Sequence, residues 1–142
     1  MQKMSALESL TIAHWYAVTA RALSNASTLP RLSQQNVDAL TKASNGLAEQ
    51  SSNLATKAAQ VEFADAGKAF QDISDAASQA SGAADKLAND VKQVNTLLNI
   101  AADLITFSSA VLTGNYGAAL TNLVALVGRP TPAQGAQDPL GS

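Results

Sequence analysis

The sequence predicts an all-α fold: an elongated bundle of three or four amphipathic helices with heptad-like, alanine-rich seams and an apolar helical hairpin towards the C-terminus. Apolar residues make up 46% of the 142 residues but aromatic residues only 4%, so the core is expected to be thin and extended. Two long stretches repeat apolar residues in sevens, with the 3-4 spacing of helices that pack on helices. Strand-forming residues are sparse outside the last third.

The first helix is predicted to start at a capping box, in which Ser5 is followed three residues later by Glu8. It is expected to run to about Ser24, where a connector rich in helix breakers begins. Its apolar residues fall on two faces, one with Leu7, Leu10, Ala17 and Val18 and the other with Ile12, Tyr16 and Leu23. Two apolar faces predict a helix wedged between neighbours.

The second helix is predicted to begin at Ser33, and one of its columns repeats in sevens through Leu40, Leu47, Leu54 and Val61. The parallel column contains Ser44 and Ser51, which are expected to weaken the seam. Gly46 costs the helix about 1 kcal/mol more than alanine would. We therefore expect this helix to depend on its partner for stability.

The longest heptad pattern runs from residue 63 to residue 105, and its charged residues lie off the apolar columns. We call its larger apolar members the seam residues: Phe63, Phe70, Ile73, Leu87, Val91, Val94 and Leu98. This register does not join that of the second helix. Either the helix is distorted there or the chain turns near residues 62–67, and we favour a turn with Asp65 as the next cap. Ser81-Gly82 is a second weak point.

The stretch from Leu104 to Gly128 contains no charged residue. The turn residues 113–117 in its middle predict a helix ending near Leu112 or Thr113, and a short helix from Gly117 to Val127 that folds back. Four apolar side chains are the candidates for contact with another surface: Leu112, Leu120, Leu123 and Val124. Residues 1–128 are expected to form a single helical domain, and residues 129–142 a flexible tail rich in Pro and Gly.

Neither catalytic chemistry nor a cofactor is expected. The chain has no cysteine, one histidine (His14), and no phosphate-binding loop or nucleophile motif. Without a second imidazole or a thiol, no metal site is predicted. The carboxylates of residues 62–75 are interpreted as a solvated acidic face.

The charge distribution excludes nucleic acid as an expected partner, because the net charge is −2 and the nine basic residues are scattered. The apolar run Leu10–Ala20 is preceded by Glu8 and interrupted by His14, which does not fit a signal peptide. We therefore expect a cytoplasmic protein, whose association with a granule or membrane is left open.

Residues Gln34 to Leu40 (QQNVDAL), with Glu49, Leu54 and Gln60 further along, resemble the core of the phasins. The resemblance covers residues 34–75. Phasins are bacterial proteins that coat polyhydroxyalkanoate granules. The resemblance implies non-catalytic coating of such granules through amphipathic helices, often as oligomers.

Three functions remain open from the sequence. The first is association with an apolar surface, either a polymer granule or lipid. The second is a helical interaction module that self-associates, as a homo-oligomer, or binds partner helices. The third is insertion of residues 104–128 into a membrane, as in helical toxins. Each arm of that hairpin has only some ten residues, whereas a spanning helix needs about 20, so a buried hairpin is favoured over a membrane hairpin.

Overall fold

The computed structural model describes residues 2–127, and the predicted tail lies outside them. The described chain forms five α-helices, one more than the largest number expected, and the all-α prediction is confirmed. Its only β feature is a single bridge between Gln2 and Phe63. The helices are α1 (Ala6–Ala26), α2 (Gln34–Lys57), α3 (Ala66–Leu87), α4 (Val94–Thr113) and α5 (Gly117–Val127), with 3-10 turns at Ala58–Gln60 and Val91–Gln93.

Helices α1 to α4 form a four-helix bundle in which α1 and α4 each pack against both α2 and α3. The order around the bundle is therefore α1, α2, α4, α3. Ser44 of α2 bonds to Ala20 of α1, and Ser51, later in α2, bonds to Ala13, earlier in α1, so these helices are antiparallel. The bridge between Gln2 and Phe63 places the starts of α1 and α3 at the same end. Helix α5 packs on α3 and α4.

The helix starts follow from local side-chain caps. Ser5 and Glu8 form the predicted capping box, with N–O distances of 3.0 and 2.8 Å. Ser33 accepts a hydrogen bond from the first turn of α2 at 3.1 Å, and Asp65 accepts one from Lys68 N at 3.0 Å. The predicted turn at residues 62–67, with Asp65 as the next cap, is confirmed.

The stretch from residue 63 to residue 105, interpreted from the sequence as one seam, is interrupted. Gly82 lies inside α3, so the weak point expected at Ser81-Gly82 does not break the helix. The break comes instead at residues 88–93, where Asp90 accepts a hydrogen bond from Lys92 N at 3.0 Å and caps a 3-10 turn. In α4 the fully buried column is Leu97, Leu104 and Val111, one residue earlier than the predicted positions of Leu98 and Ile105.

The predicted seam residues differ in how far they are buried. Val91 is 37% exposed because it falls in the 3-10 turn rather than on a helix, so it does not belong to the packed seam. The others are buried (Phe63, Ile73, Val94) or half-buried (Phe70, Leu87, Leu98). Half-buried Ile105 takes the last position of the pattern, and buried alanines take the others: Ala66, Ala77, Ala80, Ala84 and Ala101.

Serine hydroxyls join α1 to α2 along their length. Ser44 Oγ donates to Ala20 O at 2.8 Å, and Ser51 Oγ donates to Ala13 O at 2.7 Å. In the other direction, Ser9 donates to the carbonyl of Leu54. The small polar column of α2, expected from the sequence to weaken the seam, therefore hydrogen-bonds the partner backbone.

Replacing Ser51 with alanine should lower the free energy of unfolding by about 0.5–1.5 kcal/mol through loss of this hydrogen bond. The matched control is Ser52→Ala, because Ser52 is the next residue of the same helix and is exposed. Both variants gain the same helix propensity, so the difference between them in urea unfolding isolates the interhelical bond. Equal stabilities would contradict its contribution.

The bundle buries one of the two apolar faces of α1. Ile12, Tyr16 and Leu23 are at most 1% exposed, whereas Leu7 is 74% and Leu10 53% exposed. Helix α1 does lie between two neighbours, α2 and α3, as predicted, but the expectation that both of its apolar faces are covered is wrong. The Leu7 face points away from α2 and α3, the two helices that flank α1.

Tyr16 makes the stability of the bundle depend on alkaline pH. Its ring is buried, its hydroxyl donates to Leu104 O at 2.7 Å, and burial raises the pKa of the phenol. A raised folded-state pKa means that stability is fully present below the unfolded value, about 10, and is lost as pH rises above it. The free energy of unfolding, measured with urea, should therefore fall above about pH 10. It should fall less steeply in Tyr16→Phe. Identical alkaline slopes would contradict this assignment.

Candidate functional site: an uncharged helix on the outside of the bundle

The turn between α4 and α5 is fixed by Gly114. Its φ of 82° lies in the left-handed region, where glycine is unstrained. A Cβ on Gly114 would lie 3.0 Å from Glu62 O and 3.5 Å from a methyl of Val61. The turn therefore packs directly on the connection between α2 and α3, which leaves no room for a side chain.

Tyr116 anchors the chain just before α5. Its ring meets those of Phe63 and Phe107 edge-on, with centroids 6.0 and 6.4 Å apart. Its hydroxyl donates to Asp72 Oδ2 at 3.3 Å, and Asp72 also accepts from Lys68 Nζ at 2.8 Å. Partial burial, followed by the negative charge of Asp72, raises the pKa of Tyr116. The phenol therefore remains a neutral donor that ties the start of α5 to α3.

Helix α5 is apolar on one side. At about 100° per residue, its large aliphatic side chains cover about 160° of its circumference. We call this set the α5 apolar arc: Leu120, Leu123, Val124, Leu126 and Val127. In the bundle only Leu123 is fully buried among the residues of α5, while Val124 is 43% exposed and the other three are half-buried. The arc is therefore only partly covered by α3 and α4.

The opposite side of α5 is neutral. It carries Ala118, Thr121, Asn122 and Ala125, all exposed, and no residue of α5 is charged. An amphipathic helix that binds anionic membranes usually carries Lys and Arg on its polar face. Helix α5 thus has an apolar arc but no such source of electrostatic attraction.

The four surface-contact candidates from the sequence occupy different environments. Leu123 faces inwards, Leu120 is half-buried, Val124 is 43% exposed, and Leu112 is half-buried on the last turn of α4. Leu120, Leu123 and Val124 share the apolar arc, and Leu112 belongs to the neighbouring helix. The sequence did not identify Tyr116 as the anchor, because its partner Asp72 is 44 residues away.

Two further apolar surfaces are open to solvent. The first is the outward stripe of α1, with Leu7, Leu10 and the small Ala17. The second is a groove of about 550 Å³ between α2 and α4. Gly46 forms part of its floor, where a Cβ would lie 3.1 Å from a terminal methyl of Ile105. Lys42 and Glu49 are among its lining residues.

The described residues 2–127 bring together no group of three or more His, Asp or Glu side chains that could hold a metal ion. His14 is exposed and lies beside Trp15, with ring centroids 5.2 Å apart. The segment Val91–Thr113, which contains α4, is long and apolar enough to cross a membrane. In the bundle it buries Leu97, Leu104 and Phe107, as a core helix does.

Comparison with known proteins adds no relative, since no family model, curated protein or solved structure matches this chain. The fold and the site together define an all-α bundle with an uncharged, partly docked peripheral helix.

Proposed function

We propose that this protein is a non-enzymatic helical protein that associates with an electrically neutral apolar surface, lipid or polyester, through the α5 apolar arc. The observation that supports the proposal is the composition of α5. A helix on the outside of a bundle ordinarily exposes charged residues, and α5 exposes none. Coating of polyhydroxyalkanoate granules, which the resemblance of residues 34–75 to phasins implies, is one form of this function.

The energetics favour contact with such a surface. Full burial of a Leu or Val side chain contributes about 1.5–3 kcal/mol. Only one of the five large side chains of the arc is fully buried in the bundle. An apolar surface that covered all five would therefore bury more apolar area than α3 and α4 do.

A second candidate function is a helical interaction module, and the exposed stripe of α1 favours it. Leu7 and Leu10 are exposed by 74% and 53% and carry no charge, so a second copy or a partner helix would cover them favourably. This function predicts a concentration-dependent oligomer without any added surface, and Leu10→Asp would dissociate it. Sedimentation velocity distinguishes it from surface association.

Flotation tests the proposal. Purified protein is mixed with phosphatidylcholine vesicles in one arm and polyhydroxybutyrate particles in the other, and the bound fraction is measured at low and high salt. We expect binding in at least one arm, and little change with salt because α5 is uncharged. Absence of binding in both arms would refute the proposal. Binding that disappears at high salt would show that charge, rather than the apolar arc, makes the contact.

A further inference from the structure

We infer that α5 pivots about Gly117 away from α3 and α4, so that the whole apolar arc, including the inward face at Leu123, lies on a neutral lipid surface. The inference rests on the proposed function and adds that α5 moves while Tyr116, just before it, stays in place. It assigns the contact to residues that the closed bundle partly hides.

The pivot is located by what holds the chain on either side of it. Before Gly117, the chain is fixed: Gly114 packs on Glu62 O, and Tyr116 is held by two aromatic rings and by Asp72. At Gly117 itself, a Cβ would meet no atom within 4 Å. Glycine in open space can change its backbone angles without steric cost, so no side chain hinders rotation at the first residue of α5 while Tyr116 stays in place.

Beyond the pivot, α5 is weakly attached. Leu123 is its one fully buried residue, and none of the hydrogen bonds found within residues 2–127 joins a side chain of residues 117–127 to α3 or α4. The aromatic and polar contacts of this region all belong to Tyr116, on the fixed side. Opening α5 therefore gives up aliphatic contacts, which an apolar surface replaces, and one backbone hydrogen bond across the pivot, from Leu120 N to Tyr116 O at 2.8 Å.

The lack of charge and the polar side of α5 favour a neutral lipid surface as the occupant. Helix α5 carries no charge that would need a counterion, and Thr121 and Asn122 on its opposite side would face the headgroups and water. A surface shifts α5 to the open position because it contacts the arc more fully in that position than in the closed one.

The cysteine-free chain allows a direct measurement with pairs of spin labels. The reporting pair is Ala125→Cys on α5 with Gln79→Cys on α3, and the control pair is Gln79→Cys with Ser52→Cys on α2, all at exposed positions. Residue 125 lies ~12 Å along the helix from Gly117, so a swing through a right angle moves it by about 10 Å or more. Distances are measured with and without phosphatidylcholine vesicles, and with polyhydroxybutyrate particles in a separate arm.

We expect vesicles to lengthen the distance of the reporting pair by about 10 Å or more and to leave the control pair unchanged. If the labelled protein floats with vesicles but neither distance changes, the closed bundle makes the contact; the pivot is then refuted and the proposed function stands. Lengthening of both pairs means that the whole bundle opens, which also refutes the pivot. A shift with particles alone overturns the choice of lipid. Protein that floats with neither surface refutes the proposed function and the pivot together.

Discussion

Replacing Leu47 with alanine is expected to lower the free energy of unfolding by about 2–5 kcal/mol. Leu47 is fully enclosed and is the middle member of the α2 column that also contains Leu40 and Leu54. Truncation removes its buried methyl groups and leaves a cavity, which the surrounding helices fill only in part. Urea unfolding followed by circular dichroism measures the loss.

The matched control is Leu7→Ala, which removes the same atoms from a helix position that is 74% exposed. This variant should change stability by less than about 0.5 kcal/mol, as surface substitutions do. A large loss in Leu7→Ala would mean that a second copy or another surface covers the α1 stripe. A small loss in Leu47→Ala would contradict the position of the core.

Placing aspartate at Leu120 is expected to weaken both the docking of α5 and the binding of an apolar surface. Leu120 is half-buried against the core and belongs to the α5 apolar arc. Losing its burial on a surface forfeits about 1.5–3 kcal/mol, which corresponds to about a ten- to hundredfold weaker association. Amide hydrogen exchange along α5 measures docking, and flotation measures binding.

The control for Leu120→Asp is Gln79→Asp, at an exposed position of α3. It adds the same charge outside the arc and should change neither the exchange rates nor the flotation. A Leu120→Asp protein with faster exchange but unchanged binding would show that α5 serves only the core. The interaction module would then be the better account of the protein.

Local signals in the sequence were sufficient to place the helix starts. Ser5, Ser33 and Asp65 are each followed by the backbone amide they cap three residues later, so the cap and its partner lie within one helical turn. The turn at Gly114 was also predictable from a local signal, because glycine readily adopts the left-handed conformation found there.

Features that depend on distant parts of the chain could not be predicted. One local feature was also missed: the apolar spacing continues through residues 88–93, so Val91 was assigned to the seam although Asp90 caps a 3-10 turn there. The two faces of α1 are both apolar in sequence, and only the positions of α2 and α3 decide which one is covered. The hydrogen bonds of Ser44 and Ser51 also depend on which helix lies beside α2.

The candidate site was predictable in composition but not in arrangement. The absence of charge in α5 is visible in the sequence, and three of the four candidates lie on its apolar arc. The sequence does not distinguish the inward Leu123 from the exposed Val124, because both are large aliphatic residues of one short helix. Tyr116 anchors the start of α5 through Phe63 and Asp72. These two residues lie in α3 and the segment before it, far from Tyr116 in sequence.

The most direct measurement compares the binding affinities of Val124→Asp and Asn122→Asp for phosphatidylcholine vesicles and polyhydroxybutyrate particles. Both positions are exposed on α5, so each variant adds one charge with little effect on the fold, but only Val124 belongs to the apolar arc. The account predicts that Val124→Asp binds about ten- to hundredfold more weakly than the unmodified protein, while Asn122→Asp binds as the unmodified protein does. Equal binding by the two variants would contradict the claim that the apolar arc of α5 contacts the surface.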